Sequence, residues 1–234
     1  MAGLLDDETL SASAVVANIA MNRERQLAGP NSYTRDLGFN PLDRLLARLE
    51  DRATVAWLDL CCGQGRALLQ AGAEVTARGL AGRVELVGVD LVDYFDPGDP
   101  AVTLVCAPAT SWQPDRRFDL ITVVHGLHYV GDKLGVLARA ASWLTDTGQL
   151  VADLDLASIR GEDGAPLALG KELRRNGFTY DGRRHRISLV GRREPTFPYD
   201  YRGADDRAGP NYTGQPAVHS FYRKLSPNPS PLET

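Results

Sequence analysis

The stretch Ala56-Trp57-Leu58-Asp59-Leu60-Cys61-Cys62-Gly63-Gln64-Gly65-Arg66-Ala67-Leu68-Leu69 decides the fold. An apolar run breaks into small residues, and a helical pattern follows. That is the order of a strand, a tight loop and a helix N-terminus. Gly63 and Gly65 carry no Cβ, so the backbone there can take positive φ and approach a ligand closely. The first helical turn offers unpaired N–H groups, which suit an anionic or polar ligand end. A glycine turn of this kind is a weak signal alone, and its downstream partner carries the argument.

That partner is Val84-Glu85-Leu86-Val87-Gly88-Val89-Asp90-Leu91, a second apolar run with a carboxylate at its end. An acidic residue roughly 20 positions or more beyond a glycine turn is the usual acceptor for two ribose hydroxyls. An ionised Asp has no donor, so it pairs with a diol that supplies two. Together the two stretches read as a nucleoside-binding α/β half.

Outward from them the chain keeps alternating. A first helix is expected over 64–78, with Ala67, Leu68, Ala71 and Val75 turned inward. The segment 93–100 is rich in Asp, Gly and Pro and reads as a loop. Strands are expected at 101–106, 117–124 and 149–156, and Asp132 caps a helix running to about residue 144. His125-Gly126-Leu127-His128-Tyr129 follows the fourth strand, at the sheet end where open α/β folds hold their ligands. Trp112 reads as a core filler.

These motifs, taken as an ordered set, resemble the class I S-adenosylmethionine-dependent methyltransferases. Leu58-Asp59-Leu60-Cys61-Cys62-Gly63-Gln64-Gly65 looks like that family's first motif, L-D-[LV]-G-C-G-x-G, with Cys61 where a glycine is usual. Asp90 matches its second acidic residue. Phe118-Asp119-Leu120-Ile121 and Trp143-Leu144-Thr145-Asp146-Thr147-Gly148-Gln149-Leu150 match the later strands. The resemblance spans residues 54–155. It implies S-adenosyl-L-methionine as cofactor and S-adenosyl-L-homocysteine as product. It assigns Asp59, Cys61, Gly63, Gly65, Asp90 and Leu91 to the cofactor, with the Cys61 turn near its methionine end and Asp90 on the ribose. The family's adenine-binding aspartate is missing from Cys106-Ala107-Pro108-Ala109-Thr110-Ser111, so adenine is expected to meet backbone near Ala109, the hydroxyl of Thr110 or Ser111, and apolar packing.

An in-line methyl transfer needs an aligned nucleophile and, for a phenol, acid or amine, a base. His125 and His128 are the catalytic candidates, and His125 has the alternative role of a hydrogen bond to cofactor or substrate. Asp155 and His219 are rivals. His125-x-x-His128 has no further ligand at metal-binding spacing, so no metal is expected. The three cysteines read as small buried residues.

Before the core, residues 1–53 read as a helical cap. A partly apolar helix over Ala14, Val15, Ala17, Asn18, Ile19 and Met21 precedes a breaker at Gly29-Pro30. Asn40-Pro41 opens a further helix with Leu42, Leu45, Leu46 and Leu49 on one stripe. Tyr33 and Arg35 are candidates for the methionine carboxylate or for substrate, or they anchor the cap. After the core, a helix is expected from Pro166 to Asn176-Gly177, then a hairpin turning at Asp181-Gly182. Residues 195–222 read as an irregular aromatic segment and 225–234 as a tail.

The expected fold class is therefore α/β: a Rossmann-like, doubly wound, mostly parallel sheet with an antiparallel final strand, an N-terminal helical cap and an irregular C-terminal segment. Domain boundaries are expected at 1–53, 54–194 and 195–234. The chain has 234 residues and a net charge of −4, which gives no general attraction to nucleic acid or to an anionic membrane. No signal peptide or membrane span is read. With 3 cysteines, two of them adjacent, a cytoplasmic setting is expected. The expected function is methyl transfer to oxygen or nitrogen of a small molecule, in secondary metabolism, by a monomer or homodimer. The alternatives are cofactor-assisted cyclisation and a non-catalytic binding protein, with a nicotinamide dehydrogenase as a distant fourth.

Overall fold

In the computed structural model, residues 3–17 and 24–226 are described. The core is a seven-stranded sheet. Strands β1 (Val55–Leu60), β2 (Val84–Asp90), β3 (Val102–Cys106), β4 (Phe118–Val123) and β5 (Leu144–Asp153) run parallel. A three-residue strand, β6 (Ile159–Gly161), leaves this sheet. Strands β7 (Thr179–Asp181) and β8 (Arg186–Val190) then close it, with β8 antiparallel to β5. The order is β3-β2-β1-β4-β5-β8-β7, so the strand sequence reverses direction between β1 and β4.

Every residue of β1 and β4 is buried, as befits strands flanked on both sides and covered on both faces. Successive side chains alternate between two cores. Ala56, Leu58 and Leu60 join one with Leu134 and Leu137 of the helix Lys133–Ser142. Val55 and Trp57 join the other with Leu68, Ala71 and Val75 of the helix Arg66–Ala77. That second core also takes Leu42 and Leu45 from the helix Pro41–Leu46, whose Asn40 cap accepts the Leu42 and Asp43 N–H groups. In chain order the helices are α1 (Asp7–Ser11), α2 (Tyr33–Leu37), α3 (Pro41–Leu46), α4 (Arg66–Ala77), α5 (Lys133–Ser142) and α6 (Gly170–Arg175).

Four features differ from the sequence expectations. Residues 12–17 form turns after α1, where a helix was expected from Ala14; Asn18, Ile19 and Met21 lie outside the described residues. The helix expected from Pro166 begins at Gly170, because the Leu167 N–H donates to Ile159 O and keeps the preceding residues folded back on β6. The hairpin turns through residues 182–185 rather than at Asp181-Gly182. Asp181 instead accepts the Arg183 and Arg184 N–H groups, and His185 takes φ 49°.

The fourth is the C-terminal segment expected to be irregular. It forms β9 (Tyr199–Asp205) and β10 (His219–Lys224), which pair antiparallel, and β6 adds parallel to β10. This second sheet is tied to the core by Lys133. Its buried ammonium donates to Val130 O at 2.9 Å, Val218 O at 2.8 Å and Ser220 Oγ at 2.7 Å. Burial brings Lys133 down to about 7. Tyr222 adds a hydroxyl bond to Asp132 at 3.0 Å. The connection 206–218 thereby lies across the carboxyl end of the main sheet, and the Val218 N–H donates to His128 O.

Candidate active site

A cavity of about 250 Å³ opens at the carboxyl ends of β1, β2, β3 and β4. The turn after β1 contributes Cys61, Cys62 and Gly63. The end of β2 contributes Val89, Asp90 and Leu91, and the turn after β3 contributes residues 107–110. Beyond β4 come Val124, His125, Gly126 and His128. Asp7, Arg25 and Tyr33 close the N-terminal side, and Thr213 and Gln215 reach in from the β9–β10 connection.

Of the residues singled out in the sequence, the cavity wall holds Tyr33, Cys61, Gly63, Asp90, Leu91, Ala109, Thr110, His125 and His128. Asp59 and Gly65 stand behind it. Gly65 caps α4 at φ 78°, and a Cβ there would stand 2.9 Å from Leu104 Cδ2. Asp59 is fully buried beneath Tyr33. Its Oδ2 accepts the Tyr33 hydroxyl at 2.6 Å and its Oδ1 the Thr122 hydroxyl at 2.5 Å. Thr122 in turn receives Trp57 Nε1 at 2.8 Å. Burial drives the Asp59 carboxyl up to about 7 against those two donors. Asp59 thus acts on the cavity through Tyr33, which lines the wall and donates its hydroxyl to Asp59. Arg35 is outside the wall, donating to Pro30 O at 2.9 Å. Trp112 is also outside, packed edge-on against Trp143 at 5.6 Å.

Asp90 organises the glycine turn. Its Oδ2 accepts the Gly63 N–H at 2.8 Å and its Oδ1 the Val92 N–H at 3.1 Å. A carboxylate oxygen has two lone-pair sites and no donor, which is the acceptor chemistry a diol requires. Gly63 needs its φ of 62° to aim that N–H. Cys61 has φ 58°, a left-handed conformation that costs a side-chain-bearing residue about 1–2 kcal/mol.

The two histidines differ. His128 is buried, and neither ring nitrogen has a hydrogen-bond partner among the described residues. Burial, with the nearby His125 and Lys133 charges, takes it down to about 3, so the imidazole is neutral near pH 7. Tyr212 lies edge-on to it at 5.3 Å and stacks on His185 at 3.9 Å. His125 has φ 58° and sits between two carboxylates, with Nε2 at 3.5 Å from Asp36 Oδ2 and 3.8 Å from Asp153 Oδ2. Its N–H donates to Asp153 at 3.2 Å. Burial alone would raise Asp36, but hydrogen bonds from His125 and Arg25 bring it below the usual carboxylate value. Asp153 is raised, because burial outweighs the His125 and Arg186 charges.

Sequence reasoning missed Asp36, Asp153 as a partner of His125, and Arg25 and Asp7 in the wall. Asp36 reads locally as an ordinary helix-surface acid, and its partner is brought to it by tertiary packing. Among the described residues no group of three or more His, Cys, Asp or Glu could hold a metal ion, and no helix is long and apolar enough to cross a membrane.

The model of the family described as "Methyltransferase domain" matches residues 31–192, more than two thirds of the chain. No curated protein gives a significant match. Among solved structures, the amino pentose methyltransferase CalS10 from Micromonospora echinaspora is similar at 22% identity. That likeness covers 48% of this chain and 47% of that one, with a TM-score of 0.37. The N-methyltransferase NodS from Bradyrhizobium japonicum is similar at 18% identity, over 76% of this chain and 100% of that one, with a TM-score of 0.38. The plantazolicin methyltransferase BpumL is similar at 17% identity, over 65% and 58%, with a TM-score of 0.44. The chain spans about half the length of CalS10.

Proposed function

Because the chain belongs to the class I S-adenosylmethionine-dependent methyltransferases, we propose that this cavity binds S-adenosylmethionine and that the protein methylates a small molecule on oxygen or nitrogen. The observation that carries the reading is the meeting of the glycine turn and Asp90 in one cavity, at the switch point between β1 and β4. Open α/β sheets bind their ligands at that place.

The residues present fit the cofactor. The Asp90 carboxylate suits the ribose diol. Val89, Leu91 and Ala109 offer apolar surface to adenine, with the Thr110 hydroxyl beside them. The absent adenine carboxylate leaves that ring to backbone and packing. At the methionine end stand the turn 61–63 and Arg25, whose guanidinium can face a carboxylate. When bound, the cofactor supplies a methyl carbon activated by a sulfonium leaving group, and the product is S-adenosylhomocysteine.

The chain's own contribution is orientation and proton handling. Tyr33, locked on Asp59, fixes one wall. Asp7, Thr213 and Gln215 bound the remaining space and set what acceptor fits. A conjugate acid near 3 makes His128 a weak base, so its part is a neutral hydrogen bond. His125 is the base in this reading. The setting we propose is the cytoplasm, which the three free cysteines suit, with a monomer or homodimer as the working form.

The test is calorimetry with S-adenosylmethionine, followed by incubation with a panel of phenols, primary amines and carboxylic acids. S-adenosylhomocysteine together with methylated acceptor is the expected result. Binding with a transformed acceptor but no S-adenosylhomocysteine would move the assignment to cofactor-assisted chemistry without methyl transfer.

A further inference from the structure

We propose that Asp36 and Asp153 are positioning residues for His125, which takes the acceptor's proton on Nδ1 during methyl transfer. This rests on the methyltransferase reading above.

The geometry comes from three distant parts of the chain. α2 brings Asp36, β5 brings Asp153, and the turn after β4 brings His125. Both carboxylates approach the same imidazole nitrogen, Nε2, at 3.5 and 3.8 Å. That leaves Nδ1 as the nitrogen not turned to a carboxylate. The carboxylates are themselves held. Asp36 receives Arg25 Nε at 2.7 Å, and Asp153 receives the His125 backbone N–H. The left-handed backbone of His125 is the kind of local strain that persists only where surrounding contacts maintain it.

A carboxylate on one imidazole nitrogen does two things. It fixes the neutral ring as the Nε2–H tautomer, which leaves Nδ1 with its lone pair, and it stabilises the imidazolium that forms. In the step itself, the acceptor's O–H or N–H proton passes to Nδ1. The acceptor's lone pair forms the bond to the methyl carbon as the carbon–sulfur pair leaves on sulfur. The Nε2 proton stays in place, and the Nδ1 proton is later released to water. The charged and titratable groups around His125 are Asp36 and Arg25 on the N-terminal side, Asp153 from β5 with Arg186 of β8 beside it, His128 at 5.7 Å between ring centres, and Tyr212 from the β9–β10 connection. Removing Asp36 leaves Asp153 as the remaining carboxylate on Nε2, so the two single variants are read together.

The experiment is long-range proton–nitrogen NMR of the His125 ring in the full chain, for wild type, Asp36→Asn and Asp153→Asn. The wild-type neutral ring is expected as the Nε2–H tautomer. Each variant should weaken the tautomer preference, because one of the two carboxylates facing Nε2 is gone. With any acceptor turned over, Asp36→Asn should lower kcat by at least about tenfold with KM little changed, and Asp36→Glu should recover part of it. Asp153→Asn serves where Asp36→Asn does not fold. Folded variants that keep the wild-type tautomer preference overturn the positioning role. Calorimetry of the wild-type chain with S-adenosylhomocysteine separates the two claims. Binding with an unmoved His125 overturns the positioning role alone, whereas no binding overturns the enzyme reading beneath it.

Discussion

The side chain of Cys61 fills the space in which a Cβ on Gly126 would stand, with its sulfur 2.9 Å from that point. Cys61 occupies a glycine position of the family motif and keeps a glycine-like φ, so its side chain needs space that another residue must give up. Gly126, in the turn after β4, gives it. Gly126→Ala should therefore cost about 1–3 kcal/mol by overpacking, whereas Cys61→Gly with Gly126→Ala should recover most of that loss. Urea unfolding of the two single variants and the double variant measures the coupling. Additive effects would show that the two positions do not share this space.

Asp59 makes stability depend on pH in a stated direction. Its folded value is raised to about 7 from 3.8, so the folded state holds a proton that the unfolded chain has lost between those limits. The associated stability is full below about pH 4 and disappears as pH rises through 7, with a slope approaching about 1.4 kcal/mol for each pH unit in between. Asp59→Asn should flatten that decline. Tyr33→Phe, which removes one of the two hydroxyl donors, should carry the decline to higher pH and cost about 1–3 kcal/mol at pH 8. Equal slopes in wild type and Asp59→Asn, read from denaturant midpoints over pH 4–8, would contradict the assignment.

His128 works in the opposite sense. Its folded value is depressed to about 3 from 6.5, so between those limits the unfolded state binds the extra proton. Stability is unaffected above about pH 6.5 and falls as pH drops toward 3. His128→Phe removes the unpartnered nitrogens and the titration together. The variant should keep its melting temperature better than wild type on acidification from pH 6.5 to 4.5. A wild-type acid profile that survives the substitution would place the titrating group elsewhere.

The parts of the fold that could be read from the chain are those whose physics is local. β1 and β2 are continuous apolar runs because both faces are covered, and α4 and α5 show their buried stripes at helical spacing. The second sheet could not be read this way. β9 alternates tyrosines with charged residues and carries Gly203, and β6 is three residues long. What fixes them is Lys133, a residue that reads as solvent-facing and is wholly buried. The site divides in the same manner. Asp90 and Gly63 announce themselves by motif spacing. Asp36 and His125 meet only because α2 docks against the end of β4, a contact with no trace in either local sequence.

The central claim is that Asp90 and the turn at Gly63 hold a nucleoside. Isothermal titration of S-adenosylhomocysteine into the wild-type chain and into Asp90→Asn tests it most directly. The wild type should bind, and Asp90→Asn should bind more weakly by about 1–3 kcal/mol, because the amide accepts less well from the ribose hydroxyls. Absence of wild-type binding, or equal affinity in a folded Asp90→Asn variant, would contradict the account.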